Sequence, residues 1–253
     1  MLRSIVSGII KVNYDENKAI FIDRNPKYFG YILDYLRNID SSNPFNVPKL
    51  NQEGTQELED EANYFGLHGL IELINPFESL IIQEHEKSDF FNLCNLCFGK
   101  KWKRLYRASV DGFLSQNFHT KCDGIPNTLT IIKSIQGYVF GGYTTASWDQ
   151  SSTYKNDKNS FIFSFINPSK KPSKMTCTNF PNSIYCHTSY GPTFGGHDIY
   201  IATNSNVNTT SYSNLGHSYA LNGYTNGTAP AQSFLAGAYN FQVSEIEVFQ
   251  RLP

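Results

Sequence analysis

The residues best suited by type to chemistry are soft ligands in two close pairs. Cys94 and Cys97 form a CxxC, and His119 and Cys122 form an HxxC later in the chain. Four such ligands would satisfy a tetrahedral structural zinc. Against that, Cys94 and Cys97 sit beside Leu96 and Phe98 in an apolar run, where a free cysteine packs as a small hydrophobe. Packing is the favoured reading. A thioredoxin-like role for the CxxC lacks a βαβ context. A hydrolase would need three of Asp111, Asp198, Glu245, His119, His197 and Ser109 to converge, and no G-x-S-x-G motif supplies a nucleophile. Blander roles exist for each. Arg107 and Asp111 can pair locally, His119 suits a hydrogen-bonded core or semi-buried site, and Glu245 with Glu247 reads as a solvated strand face. Buried, those two glutamates would need partners such as Arg107 or Lys133. The glycine pairs in FGGYT (140–144) and FGGHD (194–198) lie in strand-like runs and open no helix. They read as structural close approaches rather than phosphate cradles.

Composition narrows the class. The 253 residues carry 21 basic and 22 acidic side chains, a net charge of -1, with no electrostatic footprint for nucleic acid or an anionic membrane. Neither nucleic-acid binding nor membrane insertion is expected. No apolar run reaches the roughly 20 residues needed to span a bilayer. Ile5 to Ile10 is too short for a signal peptide. Five cysteines without a secretion signal point to reduced thiols and a cytoplasmic protein, in which the sequons at Asn208 and Asn226 go unused. Nineteen Phe and 16 Tyr favour a strand-rich fold with a substantial core.

The elements that would position these residues fall into two groups. Near the N-terminus a short strand at Ala19 to Ile22 follows a turn at Asp15 to Asn17. Asn25 then caps a helix with Pro26 at its first position, and Phe29, Ile32, Leu33 and Leu36 share one face. Pro44 and Pro48 mark a connector. A second helix carries Leu58, Ala62 and Phe65 on one stripe and ends at Gly66, and a third runs from Leu67 to Ile74 before Pro76. Beyond it, Ser79 to Ile82 suggests a short strand and Asp89 to Phe98 a helix. Trp102 to Ala108 reads as a strand, with Ser115 capping a short helix. Thr128 to Lys133 and Tyr138 to Tyr143 are β-rich. Phe161 to Phe165 reads as a strand covered on both faces, and Val243 to Phe249 as the closing strand, with 203–214 a polar loop. Short strands between Gly, Asn and Pro turns favour a sandwich over a parallel α/β fold.

The segments LYRASVDGF (105–113), FHTKCDG (118–124), TLTIIKS (128–134) and YVFGGYT (138–144) resemble the TLDc family, the domain of the oxidation-resistance proteins. SFIFSFINP (160–168), GPTFGGHDIYI (191–201) and FLAGAYNFQVSEIEVF (234–249) extend that resemblance over residues 78 to 252. It implies a sandwich of two mostly antiparallel sheets with flanking helices, no catalytic activity and no cofactor. It also implies a role in oxidative-stress resistance through binding the cytosolic sector of the V-ATPase.

FIDRNPKYFGYILDYLRN (21–38) and LEDEANYFGLHGLIE (58–72) resemble the back half of a BTB/POZ domain of the potassium-channel tetramerisation type. The family's opening strands have no counterpart here. The expected architecture is therefore α+β: a partial, helical BTB-like domain at 1–77, followed by a TLDc domain at 78–253. By resemblance the first domain mediates self-association through faces bearing Phe29, Leu33 and Leu58. The alternatives are a substrate adaptor for a cullin ubiquitin ligase, and a structural-zinc protein or enzyme. Direct oxidant scavenging would need an exposed, low-pKa cysteine, and Cys122 beside Lys121 is the one candidate.

Overall fold

The computed structural model describes residues 24–38, 45–74, 77–96, 102–221 and 223–252, together with Glu16. The expected strand at Ala19 to Ile22, and Pro44, Pro76 and Cys97, lie outside the described residues. The chain divides into two compact units, Met1–Phe77 and Glu78–Pro253.

In the first unit local signals set the helices. The Asn25 side chain accepts the Lys27 N–H at 3.0 Å, and the turn Pro26–Tyr28 leads into α1 (Phe29–Asn38). Asn51 caps α2 (Gln52–Phe65) by accepting the Gly54 N–H at 2.8 Å. Gly66 closes α2 at φ 69°, a left-handed conformation that costs glycine nothing. Leu67 then bonds back to Ala62, and α3 (His68–Ile74) follows. Ile32, Leu58 and Ala62 are fully buried, and with Tyr28, Phe65, Leu70 and Ile71 they form the core of this unit.

The second unit opens with a tight turn at Ser79 to Ile82 where a strand was expected, because the Ser79 hydroxyl accepts the amides of Ile81 and Ile82. Next come α4 (Lys87–Cys94), β1 (Trp102–Arg107), α5 (Ala108–Asp111) and α6 (Ser115–Cys122). Leu114, not Ser115, occupies the cap position of α6. Asn117 reaches back to the Leu114 N–H, while Ser115 gives its own N–H to Thr203. The rest of the chain forms β2 (Thr128–Ser134), β3 (Val139–Thr144), β4 (Thr153–Lys155), β5 (Phe161–Ile166), β6 (Ser173–Thr176), β7 (Ile184–Cys186) and β8 (Ser211–Tyr212). It closes with α7 (Ala229–Ser233), β9 (Asn240–Phe241) and β10 (Val243–Arg251). Ser211–Tyr212 therefore inserts a strand into the stretch expected to be loop throughout.

Six strands make one antiparallel sheet in the order β1-β10-β2-β3-β5-β6. The last strand thus inserts between the first two. On one face, α4 lays Phe90 against Phe163 and Phe165, with ring centroids 5.2 and 5.4 Å apart. On the other, Ile132, Phe140, Ile162, Ile246 and Val248 meet Phe118, Trp148, Phe194 and Phe241. This second layer carries the ribbons β4–β7 and β8–β9, completing an α+β sandwich. Gly142 of β3 lies under the Phe194 ring: a Cβ there would sit 2.6 Å from its edge. The second glycine pair is not in a strand. Gly195 turns the chain at φ 65° immediately after Phe194.

Insertion of β10 overturns the solvated-face reading of Glu245 and Glu247, since both are buried, Glu247 completely. Arg107 donates to the Glu247 carboxylate through Nε at 2.7 Å and through its terminal nitrogen at 2.6 Å. Glu247 also accepts the Leu80 N–H and the Ser79 hydroxyl, so it pins the turn over the sheet. Arg107 is consequently not the ion partner of Asp111. That carboxylate accepts the Arg107 backbone N–H and pairs with Lys121 at 3.0 Å.

Candidate functional site

Of the four proposed zinc ligands, the three described, Cys94, His119 and Cys122, do not converge. Cys94 ends α4 on the Phe163 face of the sheet, while Cys122 is packed in the core on the opposite face. No group of three or more ligating side chains suited to a metal occurs among the described residues. Cys94, Cys122, Cys177 and Cys186 are all unpaired and buried. Burial pushes the Cys94 thiol up to about 12 and the Cys122 thiol higher still, despite Lys121 next to Cys122. The scavenging candidate is therefore a protonated core thiol, the reverse of what reactivity requires.

Of the residues considered for a triad, the carboxylates Asp111, Asp198 and Glu245 each accept backbone amides. Asp198 is fully buried and accepts the N–H groups of Gly216, His217 and Ser218. Burial pushes its carboxyl up to about 6, against the pull of those three donors. Glu245 accepts the N–H groups of Ser109 and Ile246. Asp157, not singled out in the sequence, binds both hydroxyls of Thr144 and Thr145 and the amides of Thr145 and Asn159. Each carboxylate fastens a loop whose amides would otherwise be buried without partners.

His119 does the same for a different loop. It is 3% exposed, a hydrogen-bonded core residue, and its two ring nitrogens face acceptors. Nδ1 meets the Asp123 carboxylate at 2.8 Å, and Nε2 lies 2.9 and 3.1 Å from the carbonyls of His187 and Tyr190. The FHTKCDG segment therefore holds the loop 187–190 against α6.

That loop belongs to a continuous aromatic surface. In β7 and in the run 199–201, Ile184, Cys186, Ile199 and Ile201 point inward, leaving Tyr185 and Tyr200 half-exposed on the alternate phase. Tyr154 of β4 pairs with Tyr185, ring centroids 4.7 Å apart. Tyr185 adjoins Tyr190 at 5.9 Å, and Tyr190 meets Tyr200 at 4.7 Å and His187 at 4.4 Å. Tyr200 passes the contact to Tyr212 at 5.0 Å, and Tyr212 to Tyr239 at 5.3 Å. His197, at φ 72°, sits among them, its Nδ1 hydrogen-bonded to the Tyr212 hydroxyl at 2.7 Å. Burial, with a smaller coulombic contribution from His217, lowers the His197 pKa. The motif reading missed this surface. The available signal was a tyrosine between two inward residues in the short runs IYC, IYI and SYS.

In the first unit Phe29 and Leu33 are half-buried, and Phe29 packs on Phe65 at 5.7 Å. Leu58 is 0% exposed in that unit's own core. Its stripe is the one that closes the three-helix packing, so Leu58 is no part of an exposed face.

The domain assignment follows from comparison with known proteins. Residues 76–251 match the TLDc domain family, and residues 1–74 match the BTB/POZ domain. The chain belongs to the TLDc family. Among curated relatives, the chicken BTB/POZ domain-containing adapter for CUL3-mediated RhoA degradation protein 2 is 40% identical over 114 residues, 44% of this chain and 33% of that protein. The rat adapter of the same name is 34% identical over 96 residues, 38% of this chain and 27% of that protein. The zebrafish MTOR-associated protein MEAK7 is 27% identical over 90 residues, 36% of this chain and 19% of that protein. The chain thus spans a third or less of the length of these relatives. In this TLDc protein no helix among the described residues is long and apolar enough to cross a membrane.

Proposed function

We propose that this TLDc protein is a non-enzymatic interaction protein whose aromatic surface docks a protein partner. The partner in this reading is the cytosolic sector of the V-ATPase, and the physiological role is resistance to oxidative stress. The observation that carries it is the run of half-exposed Tyr and His rings from Tyr154 to Tyr239. Tyrosines are large, amphipathic and cheap to immobilise, which is why they concentrate at protein interfaces and their hot spots. The rings are already ordered by one another and by His119, which lowers the cost of binding. The BTB/POZ part contributes self-association, with Phe29 and Leu33 as its half-exposed apolar residues.

The test is affinity capture from cell lysate with the full chain and with a Tyr190→Ala/Tyr200→Ala variant, read by mass spectrometry. V-ATPase subunits retained by the wild type and lost in the variant support the reading. Their absence from the wild type, or equal recovery with both, overturns it. A second reading draws on the adapters named above: substrate adaptor of a cullin ubiquitin ligase, with the TLDc domain as substrate reader. Recovery of a cullin by the full chain, unaffected by the aromatic variant, would favour it. Association with mTOR-linked proteins, as MEAK7's name describes, would appear in the same capture.

A further inference from the structure

The hydroxyl of Ser115, which the sequence suggests as a helix cap, caps nothing in the fold. Leu114 holds the cap position, and Ser115 is the first residue of α6. It is 9% exposed, and its hydroxyl has no hydrogen-bond partner among the described residues. The Ser115 N–H goes to the Thr203 hydroxyl at 3.2 Å, and the Asn117 N–H to the Leu114 carbonyl at 2.9 Å. Between them, the Gln116 N–H has no partner among the described residues. A buried hydroxyl and an orphan amide thus stand in adjacent residues at the positive end of α6.

Both residues line a cavity of about 410 Å³, together with Leu114, Gln150, Thr188, Ser189 and Thr203. That volume lies within the size range of small-molecule sites. Its walls are fixed by hydrogen bonds. The Asn204 N–H on the Phe113 carbonyl, at 2.9 Å, holds the run containing Thr203 against the start of α6. His119 holds the loop carrying Thr188 and Ser189 through the carbonyls of His187 and Tyr190. Thr203 accepts from Ser115, so its own O–H remains to donate. The site therefore offers preset neutral donors, to which the helix adds about half an elementary charge. Gln150 gives its amide to Asp123 at 2.9 Å, which places one carboxylate behind this wall. That charge opposes a dianion more strongly than a monoanion.

We propose that the cavity at the start of α6 binds a carboxylate, carried by a small acid or by an acidic side chain of a peptide. The Gln116 N–H and the Ser115 O–H are donors in adjacent residues, suited to the two oxygens of one carboxylate. Both gain a charged acceptor in place of none. Leu114 and the aliphatic parts of the threonines leave an apolar wall for the carbon body of the ligand. The site adjoins the aromatic surface through the loop 187–190, but it does not depend on the docking role of that surface.

The test is a titration of the full chain near neutral pH, followed by nuclear magnetic resonance at the Gln116 amide. The probes are glutarate, the capped tripeptide Gly-Glu-Gly and its neutral counterpart Gly-Gln-Gly. Glutarate or the glutamate peptide should shift the Gln116 N–H downfield and saturably, and the glutamine peptide should not. Response to glutarate alone assigns the site to a small acid, and response to the glutamate peptide assigns it to an acidic side chain. Ser115→Ala should weaken binding about tenfold, the loss of a hydrogen bond to a charged acceptor. It should leave the melting temperature unchanged, because that hydroxyl holds nothing in the fold. Thr188 is exposed, so Thr188→Asp places a carboxylate at the cavity rim and should abolish binding, while Thr188→Asn retains it. No saturable shift with either acid, or an equal response to the two peptides, overturns the proposal. So does binding unchanged in both Ser115→Ala and Thr188→Asp, or saturation by inorganic phosphate and by neither acid.

Discussion

In residues 24–74 two ion pairs lie on the outside, while a third, Arg24–Glu61 at 2.9 Å, has its carboxylate buried. Lys27 and Glu57 meet at 2.8 Å with side chains 59% and 36% exposed, and Arg37 and Asp34 at 3.1 Å, more exposed still. In the TLDc domain the corresponding charges are inside. Arg107 and Glu247 are 10% and 0% exposed, and Asp157 and Asp198 are buried among backbone amides. The helices satisfy their own backbone, so their charges are left to the surface, where an ion pair contributes little. The sandwich has long connections whose amides have no ladder partner, so buried carboxylates become their acceptors. Arg24–Glu61 apart, charge decorates the first domain, whereas Arg107–Glu247, Asp157 and Asp198 build the second.

Glu247→Ala should be the most damaging single change. It leaves Arg107 buried without its partner and frees the turn at Ser79 to Ile82. A loss of roughly 3–5 kcal/mol is expected, read as a lower denaturant midpoint for the TLDc transition with the helical signal of the first domain retained. If that transition keeps its midpoint, charge does not build the sandwich as described.

His119→Ala should cost about 1–3 kcal/mol by removing the ring nitrogen that the carbonyls of His187 and Tyr190 share and the Asp123 contact. Hydrogen exchange should rise at 187–190 before it rises in β2 or β3. Uniform loosening of the whole domain would deny the histidine its local role.

Gly66→Ala tests the other domain. A Cβ meets nothing within 4 Å there, so only the left-handed φ of 69° is at stake. A loss of about 1 kcal/mol is expected, confined to the helical transition.

The effect of pH is smaller and has a definite sign. A histidine whose folded pKa is lowered binds fewer protons folded than unfolded, so stability is present above its ordinary range and lost as pH falls through it. His197 should therefore loosen the aromatic surface on acidification below roughly pH 6.5. His197→Asn, which tolerates the left-handed backbone, should flatten that part of the pH profile. A profile unchanged by the substitution would remove His197 as its source.

Lys27→Gln should change the melting temperature least of all, within measurement error. A clear loss would show that the exposed pairs of the first domain are more than decoration.

The sequence determined what depends on near neighbours along the chain. Asn25, Pro26 and Gly66 punctuate the helices, and Leu58, Ala62 and Phe65 fall on one stripe, because capping and helical period act within a few residues. The α+β class and the two family resemblances were legible for the same reason, carried by contiguous motifs. Tertiary structure alone decided the rest. Glu245 and Glu247 alternate as an exposed face would, and only insertion of β10 between β1 and β2 buries them. Cys94 and Cys122 look like half of a metal site until the sheet stands between them. Tyr154 and Tyr239 are far apart in sequence, yet one surface joins them. Antiparallel pairing brings together residues distant in the chain, and no local pattern records which strands will be neighbours.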